Sequence, residues 1–314
     1  MNARRIVLIN ITMVALTVSS TTSAAAAPSC MGRRATKVGT EESDTLRGSK
    51  ADDVIVGLGG RDDIDGLDGN DVVCGGAGRD FIRGGRDADR LNGDGKNDSL
   101  YGDGGNDVLK GGDGDDEMRP GVGDDAAGGD AGNDSFLTDF VRDKDGGHDG
   151  ADSFNGGPGS DGIDYTESRE GVDIDFERGT ATGNGSDRVV GIENAYGSYR
   201  GPNSLKGDSA DNTLFGGPRA DTLRGGGVND RLLGGGRDDR IDGGPGVDEL
   251  LSSSTTVVNL AGRTATGDGT DTVENIENVR GSHGPDVLIG DDGPNRLWGE
   301  GSRDTLRGLG GDDA

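Results

Sequence analysis

The run Gly75-Gly76-Ala77-Gly78-Arg79-Asp80-Phe81-Ile82-Arg83 and its counterpart Gly111-Gly112-Asp113-Gly114-Asp115-Asp116-Glu117-Met118-Arg119 share one pattern, G-G-x-G-x-D-x-U-x, with U apolar. The pattern keeps its phase in both directions. Fourteen consecutive nine-residue units run from Gly39 to Asp164 without insertion or deletion. The sixth position is Asp throughout: Asp44, Asp53, Asp62, Asp71, Asp80, Asp89, Asp98, Asp107, Asp116, Asp125, Asp134, Asp143, Asp152 and Asp161. The eighth is apolar at Leu46, Ile55, Ile64, Val73, Ile82, Leu91, Leu100, Leu109, Met118, Ala127, Phe136, Phe154 and Ile163, with Asp145 the exception. Composition alone cannot hold one residue type in phase for so long. A fixed period of nine implies a solenoid.

Composition on its own points the other way. With 29% hydrophobic residues, 64 glycines and a net charge of −27, the chain resembles the disordered class. Scattered single apolar residues cannot offset the ordering entropy of so many glycines, and carboxylate repulsion opposes compaction. Either the chain is disordered or something cationic folds it. The regular spacing favours the cation, because a merely solvated acidic tail has no reason to keep phase.

The chain divides readily. Arg4 and Arg5 precede an apolar run from Ile6 to Val18, then Ser23-Ala24-Ala25-Ala26-Ala27, so residues 1–26 read as a secretory signal peptide. The alternative is an uncleaved N-terminal anchor, although the run is short for a membrane span. Cys30 lacks the upstream Leu of a lipoprotein, since Ala27-Pro28-Ser29 precedes it. The protein is therefore expected to be secreted and extracellular, free or cell-surface associated, with no transmembrane segment after cleavage. Residues 27–38 form an N-terminal segment, and 39–164 the first repeat array. Residues 165–196 are a spacer in which Val172, Ile174 and Phe176 alternate with Asp173 and Asp175 as in a strand, with a second strand around Val189 to Ala195. A second array spans 197–251, with Asn203, Asn212, Asp221, Asp230, Asp239 and Asp248 in the Asp position. A second spacer, 252–280, duplicates the first: Thr264-Ala265-Thr266-Gly267 matches Thr180-Ala181-Thr182-Gly183, and Ile276-Glu277-Asn278 matches Ile192-Glu193-Asn194. The third array, 281–314, carries Asp286, Asn295, Asp304 and Asp313. The spacers are either wider coils of one solenoid or hairpins packed against it. The degenerate unit Thr138–Gly146 is either a weakened coil or a local loop.

Each unit reads as a six-residue turn and a three-residue strand. Glycines at positions one, two and four allow positive φ and turn carbonyls inward, beside the Asp at position six. Carbonyls and carboxylates without imidazole or thiolate make a hard oxygen shell, which selects calcium over transition metals and, by its flexibility, over magnesium. One turn offers too few ligands, so two must stack. If a coil is two units, same-side turns lie eighteen residues apart, and Asp80 shares an ion with the turn of Asp98, Asp89 with that of Asp107. The candidate ligands are Asp44, Asp53, Asp62, Asp71, Asp80, Asp89, Asp98, Asp107, Asp116, Asp125, Asp134, Asp152, Asp161, Asp221, Asp230, Asp239, Asp248, Asp286 and Asp304, holding multiple Ca2+ ions. Replacing Asp80 and Asp98 together is expected to weaken the early coils more than replacing Asn203 and Asn212. The two cysteines, Cys30 and Cys74, most simply form one disulfide in an exported protein, contributing about 4 kcal/mol on the chain-entropy view. Two unpaired thiols are the alternative.

These units resemble the RTX (repeats-in-toxin, hemolysin-type) calcium-binding nonapeptide, over nearly all of the chain after residue 38. The resemblance implies an all-β fold, a right-handed parallel β-roll with calcium between successive turns, and spacers similar to linker modules in such proteins. Two features depart from the family's habit: an N-terminal leader instead of a C-terminal export signal, and no attached protease, lipase or pore-forming domain. Asn203, Asn212 and Asn295 keep an oxygen ligand and lose its charge.

His148 and His283 are lone turn residues without a Ser or Cys partner, and pairs such as Asp62-Asp63 are position six plus its neighbour, so no catalytic residue is assigned. Arginines such as Arg83, Arg86 and Arg90 temper repulsion, and the overall charge opposes nucleic acid. Three functions fit: an exported calcium-binding structural or surface protein, a calcium-dependent adhesion module for cell envelope or matrix, and a polysaccharide-modifying enzyme. The first is favoured.

Overall fold

The structure, a computed structural model, describes residues 27–138, 150–183 and 185–314. The leader at 1–26 and Asp143, Asp145 and His148 lie outside the described residues. Among those described, every helix or strand element is a strand. One coil is two nonapeptides. Phe81–Arg86 pairs in parallel with Asp63–Asp68 on one side and Ser99–Gly104 on the other, placing Ile82 between Ile64 and Leu100. The intervening units, Val72–Ala77, Arg90–Gly95 and Val108–Asp113, build the opposite wall in the same way. The chain thus alternates between two parallel sheets. One has 13 strands, from Thr45–Ser49 to Arg296–Trp298; the other is longer because it absorbs the spacers. The molecule is a parallel β-roll.

The eighth residues explain why the walls meet. Extended backbone sends alternate side chains to opposite faces, so a lone apolar residue in x-U-x points inward and its neighbours outward. Ile64, Ile82, Leu100, Met118 and Phe136 from one sheet join Ile55, Val73, Leu91, Leu109 and Ala127 from the other in a single core. The rings of Phe136 and Phe154 meet edge to face, 5.5 Å between centroids. This core is only two side chains thick, so each rung matters. Leu100→Ala should cost about 2–5 kcal/mol, read as a lower thermal midpoint by circular dichroism in saturating calcium; an unchanged midpoint would show that the rung does not support the roll.

Two expectations are revised, and of the two readings of the spacers the structure takes the first. Many strands in the first array run to six residues, as in Val54–Gly59 and Phe81–Arg86, because the ladder continues through the glycine pair of the next unit, while Glu117–Arg119, Ser135–Leu137, Ser153–Asn155 and Gly162–Asp164 keep the expected three. The strand read around Val189 to Ala195 is two strands, Ser186–Val190 and Asn194–Tyr196, lying in opposite sheets. Finally, each spacer is part of the roll. Asp173–Asp175, Thr180–Thr182 and Ser186–Val190 form an antiparallel meander inserted into the longer sheet, between Ser153–Asn155 and Ser204–Lys206. The second spacer repeats this with Val257–Asn259, Thr264–Thr266 and Thr270–Glu274. In the other sheet, Gly162–Asp164 passes directly to Asn194–Tyr196.

Around the degenerate unit, Ala126–Ala131 pairs directly with Ser153–Asn155, and Ser135–Leu137 with Gly162–Asp164. The spacing across it is 27 residues where its neighbours have 18. Both ladders therefore step over one nonapeptide of sequence.

At the N-terminal end, the small hairpin Ser29–Cys30/Arg33–Arg34 lies over the outer face of the longer sheet. Cys30 and Cys74 form a disulfide with Cα atoms 5.6 Å apart. Beneath it Val54, Val56 and Val72, at positions that normally face water, are buried as a second small core.

Candidate metal centre

The turn before each strand brings the Asp to the same place in every coil. One carboxylate oxygen, Oδ1, accepts the backbone N–H of the Asp one coil earlier: Asp62 N–H to Asp80 (2.8 Å), Asp80 to Asp98 (2.7 Å) and Asp98 to Asp116 (2.7 Å). The other edge of the roll repeats the chain through Asp71, Asp89, Asp107 and Asp125. Turns eighteen residues apart are therefore in direct contact, through one carboxylate oxygen and one amide.

The second oxygen, Oδ2, is buried and has no hydrogen-bond partner in Asp62, Asp71, Asp80, Asp89, Asp98, Asp107, Asp116, Asp125, Asp134, Asp161, Asp221, Asp230, Asp239 and Asp248. Of all other buried side-chain oxygens and nitrogens among the described residues, only Ser168 Oγ shares this state. A buried unpaired polar group costs on the order of 1–3 kcal/mol, and more when charged. A whole file of them, all of one sign, requires a counter-charge.

What faces each Oδ2 identifies that charge. A Cβ placed on Gly57 would sit 2.3 Å from Asp62 Oδ2 and 2.3 Å from the carbonyl oxygen of Gly75, the matching glycine of the next coil. At Gly93 the corresponding distances are 2.3 Å to Asp98 Oδ2 and 2.6 Å to Gly111 O. Carboxylate and carbonyl thus converge on the same glycine, acceptor toward acceptor, with no hydrogen between them. This also corrects the reason for the first glycine. Positive φ occurs at positions two and four, for example Leu58 (82°) and Gly60 (101°), whereas Gly57 is required because any side chain would fill the cradle.

Burial pushes these carboxyls upward. Asp98 and Asp107 rise to about 8, and Asp89, Asp134, Asp239 and Asp248 to about 7. Asp71, Asp116, Asp125, Asp221 and Asp230 rise to about 6. Desolvation is the leading cause in each, and neighbouring carboxylates of the file reinforce it in most. Such values describe groups that lack a cation.

Among the described residues no three Asp, Glu, His or Cys side chains converge as a metal cluster. An ion seated here would draw on backbone carbonyls such as Gly75 O beside the carboxylates of the file. That donor set fits calcium, which accepts many neutral oxygens at flexible angles. Other predicted ligands are placed differently. Asp53 accepts hydroxyls from Thr36 and Ser49, Asp44 accepts the amide and hydroxyl of Thr40, and Asp286 accepts those of Ser282. Asp152 accepts the Asp125 amide and Asp304 that of Asp286, without joining the file of buried unpaired oxygens.

Four acidic residues of the spacers do the work of position six and escaped the sequence reading. Asp187 accepts the Asp152 amide and Asp271 the Asp239 amide; Glu193 and Glu277 accept those of Asp161 and Asp248. For the aspartates a signal existed: Gly185-Ser186-Asp187-Arg188-Val189 and Gly269-Thr270-Asp271-Thr272-Val273 are the last part of the nonapeptide pattern. For the glutamates none did, because a longer side chain reaches from a different backbone position.

Outside the turns, the arginines pair with acidic neighbours on the surface, Arg47 with Asp65 at 3.2 Å and Arg83 with Asp103 at 3.1 Å. Comparison with curated proteins gives no match. The model of the family described as RTX calcium-binding nonapeptide repeat (4 copies) matches residues 38–73, 75–100, 92–127, 206–236, 224–254 and 280–314. Those segments cover more than half of the chain and lie in all three arrays, where the buried carboxylates stack. RTX nonapeptide repeats bind calcium, and this chain, a parallel β-roll with stacked Asp turns suited to multiple ions, belongs to the RTX calcium-binding nonapeptide repeat family.

Proposed function

We propose that this is an exported protein that folds on calcium and serves as a structural or surface component. The observation that carries the reading is the file of buried Oδ2 atoms facing carbonyl oxygens. In each pair of stacked turns, Asp62, Asp71, Asp80, Asp89, Asp98, Asp107, Asp116, Asp125, Asp134, Asp161, Asp221, Asp230, Asp239 and Asp248 supply the carboxylate. First-position glycines of the adjacent coil supply a carbonyl. Binding at one pair brings the next turn into place, so binding and folding are coupled. The disulfide between Cys30 and Cys74 is consistent with export to an oxidising compartment. Among the described residues no helix is long and apolar enough to cross a membrane.

Calcium titration followed by circular dichroism, with equilibrium dialysis on the same samples, tests this. The expected result is little β-structure in chelator and a cooperative gain at roughly 10⁻⁴–10⁻³ M calcium, the extracellular range, with magnesium ineffective. A chain fully folded in chelator would overturn the reading.

One observation favours the adhesion alternative. An apolar groove of about 510 Å³ opens on the roll between the spacers, lined by Tyr196, Tyr199, Phe215 and Leu233, with Tyr199 57% exposed. Capture of cell-envelope material with calcium and its release by chelator would support that role.

A further inference from the structure

Both files of unpaired carboxylates stop at the first spacer. On the longer sheet the last acidic turn is Asp187. Its Oδ1 accepts the Asp152 amide (3.1 Å), and its Oδ2 accepts the hydroxyl of the fully buried Tyr165 (2.6 Å). The file resumes at Asn203, where two amides, Val172 N–H and Ser198 N–H, donate to Oδ1 at 3.0 Å. Its Nδ2 donates to Ser198 O (2.9 Å), Gly216 O (2.8 Å) and Asp221 Oδ1 (3.0 Å). Donors on one side and acceptors on the other fix the orientation of this amide. Gly216 O is the carbonyl that meets the Asn203 side chain over Gly197, in the same way that Gly75 O meets Asp62 over Gly57. On the shorter sheet, Glu193 accepts the Asp161 amide (2.8 Å), while its own carbonyl accepts Asn212 Nδ2 (3.3 Å).

On the longer-sheet edge of this spacer, then, an O–H or N–H lies where the arrays set acceptor against acceptor, whereas on the shorter-sheet edge Asn212 keeps Oδ1 toward Gly225 O over Gly207. The segment also has a wider core than the arrays, with Tyr165, Val172, Ile174, Phe176, Val189 and Ile192 packed together. The second spacer differs at both residues, Asp286 accepting Thr256 N–H and Ser282 N–H where Asn203 accepts Val172 N–H and Ser198 N–H. Ser252 takes the place of Tyr165: both follow a shorter-sheet strand and donate N–H to the next strand, Tyr165 to Tyr196 O and Ser252 to Arg280 O. A cavity of about 30 Å³, bordered by Ser252, Thr256, Ala265 and Asp271, lies in that region.

We propose that the first spacer is a calcium-independent segment of the roll, held by the Tyr165 hydroxyl and the Asn203 amide in place of ions. It separates two blocks that load calcium independently, one carrying Asp62 to Asp161 and the other Asp221 to Asp248. The proposal rests on the calcium-folding reading of the arrays. In chelator the spacer is an ordered island from which each block extends when calcium arrives.

Hydrogen exchange with mass spectrometry on the whole protein tests it. In chelator, amides of Asp173–Asp175, Ser186–Val190 and Ser204–Lys206 should stay protected while those of the arrays exchange freely. Y165F keeps the ring and removes the hydroxyl. It should lower spacer protection in chelator by roughly tenfold to a hundredfold, the factor a hydrogen bond to a charged group is worth, and leave array protection in calcium unchanged. N203D restores acceptor against acceptor and should add a calcium requirement, read as spacer protection that now depends on calcium. Equal, fast exchange of spacer and arrays in chelator overturns the proposal, as does Y165F indistinguishable from the parent. Protection of the arrays in chelator would overturn the calcium-folding reading instead, and with it the contrast between island and blocks.

Discussion

Acidified from pH 8 to about pH 5.5 without calcium, the protein should gain β-structure, the reverse of ordinary acid denaturation. The buried carboxyls titrate higher in the roll than in the unfolded chain, Asp98 and Asp107 at about 8 and Asp89 and Asp134 at about 7. Between the ordinary carboxylate value and these, the roll holds protons that the unfolded chain has released. The resulting stabilisation is complete below about pH 4 and is lost as pH rises through about 6 to 8. A proton on Oδ2 also gives the facing carbonyl a hydrogen to accept, and it reduces the net charge of −27. With calcium present the same protons compete with the ion. The calcium midpoint should rise as pH falls below about 8, by roughly tenfold per pH unit for each proton displaced per ion. Far-UV circular dichroism over a grid of pH and calcium reads both effects. A midpoint independent of pH between 6 and 8 would mean that the file carboxyls are not the ligands.

The second large effect concerns three consecutive turns of one file. D80N/D98N/D116N keeps the shape of each side chain and the Oδ1 that accepts the preceding amide. It replaces each unpaired Oδ2 with an N–H aimed toward the carbonyls of Gly93, Gly111 and Gly129. Three like charges leave a buried row, and three acceptors gain a donor. The variant should bind about two to four fewer calcium ions, since each ion is shared between neighbouring turns. It should also show more residual β-structure in chelator than the parent. D80A/D98A/D116A loses the Oδ1 bonds as well and should be less ordered than the asparagine variant at every calcium concentration. Equilibrium dialysis and circular dichroism decide between them, and an unchanged ion count in the asparagine variant would remove these three residues from the site. The comparison also revises what is expected of Asn203. Its side chain makes more hydrogen bonds than any Asp of the file, so its loss should disturb the roll at any calcium level.

The roll and its core were legible because both follow from one period. Asp in phase at nine residues fixes the turn, and the apolar residue two places on fixes which side chain points inward, as at Asp80 and Ile82. Much of the file of buried carboxylates was legible for the same reason. What escaped were features that depend on a contact across coils. Nothing local in Ile192-Glu193-Asn194 shows that Glu193 reaches the Asp161 amide, and nothing near Tyr165 shows that its hydroxyl meets Asp187. The spacers were hard to place because alternation in Asp173–Asp175 marks a strand but not its partner, and the partners lie on both sides, Thr180–Thr182 antiparallel and Ser204–Lys206 parallel. The first-position glycine misled for a related reason: its constraint is the next coil's carbonyl, not its own φ.

The 27-residue step across the degenerate unit bears on how such a chain changes length over generations. The sequence repeats every nine residues, but the geometry repeats every two units. Duplication of two units adds a full coil and leaves every later residue on its own wall. Duplication of one would exchange the walls of everything downstream, unless the ladders step over the surplus, as Ala126–Ala131 steps to Ser153–Asn155 and Ser135–Leu137 to Gly162–Asp164. A unit that the ladders step over is relieved of selection for glycines and for its apolar eighth residue, and Thr138–Gly146 lacks both its leading glycines and that residue. Its worn sequence fits an odd-numbered expansion that the ladders step over.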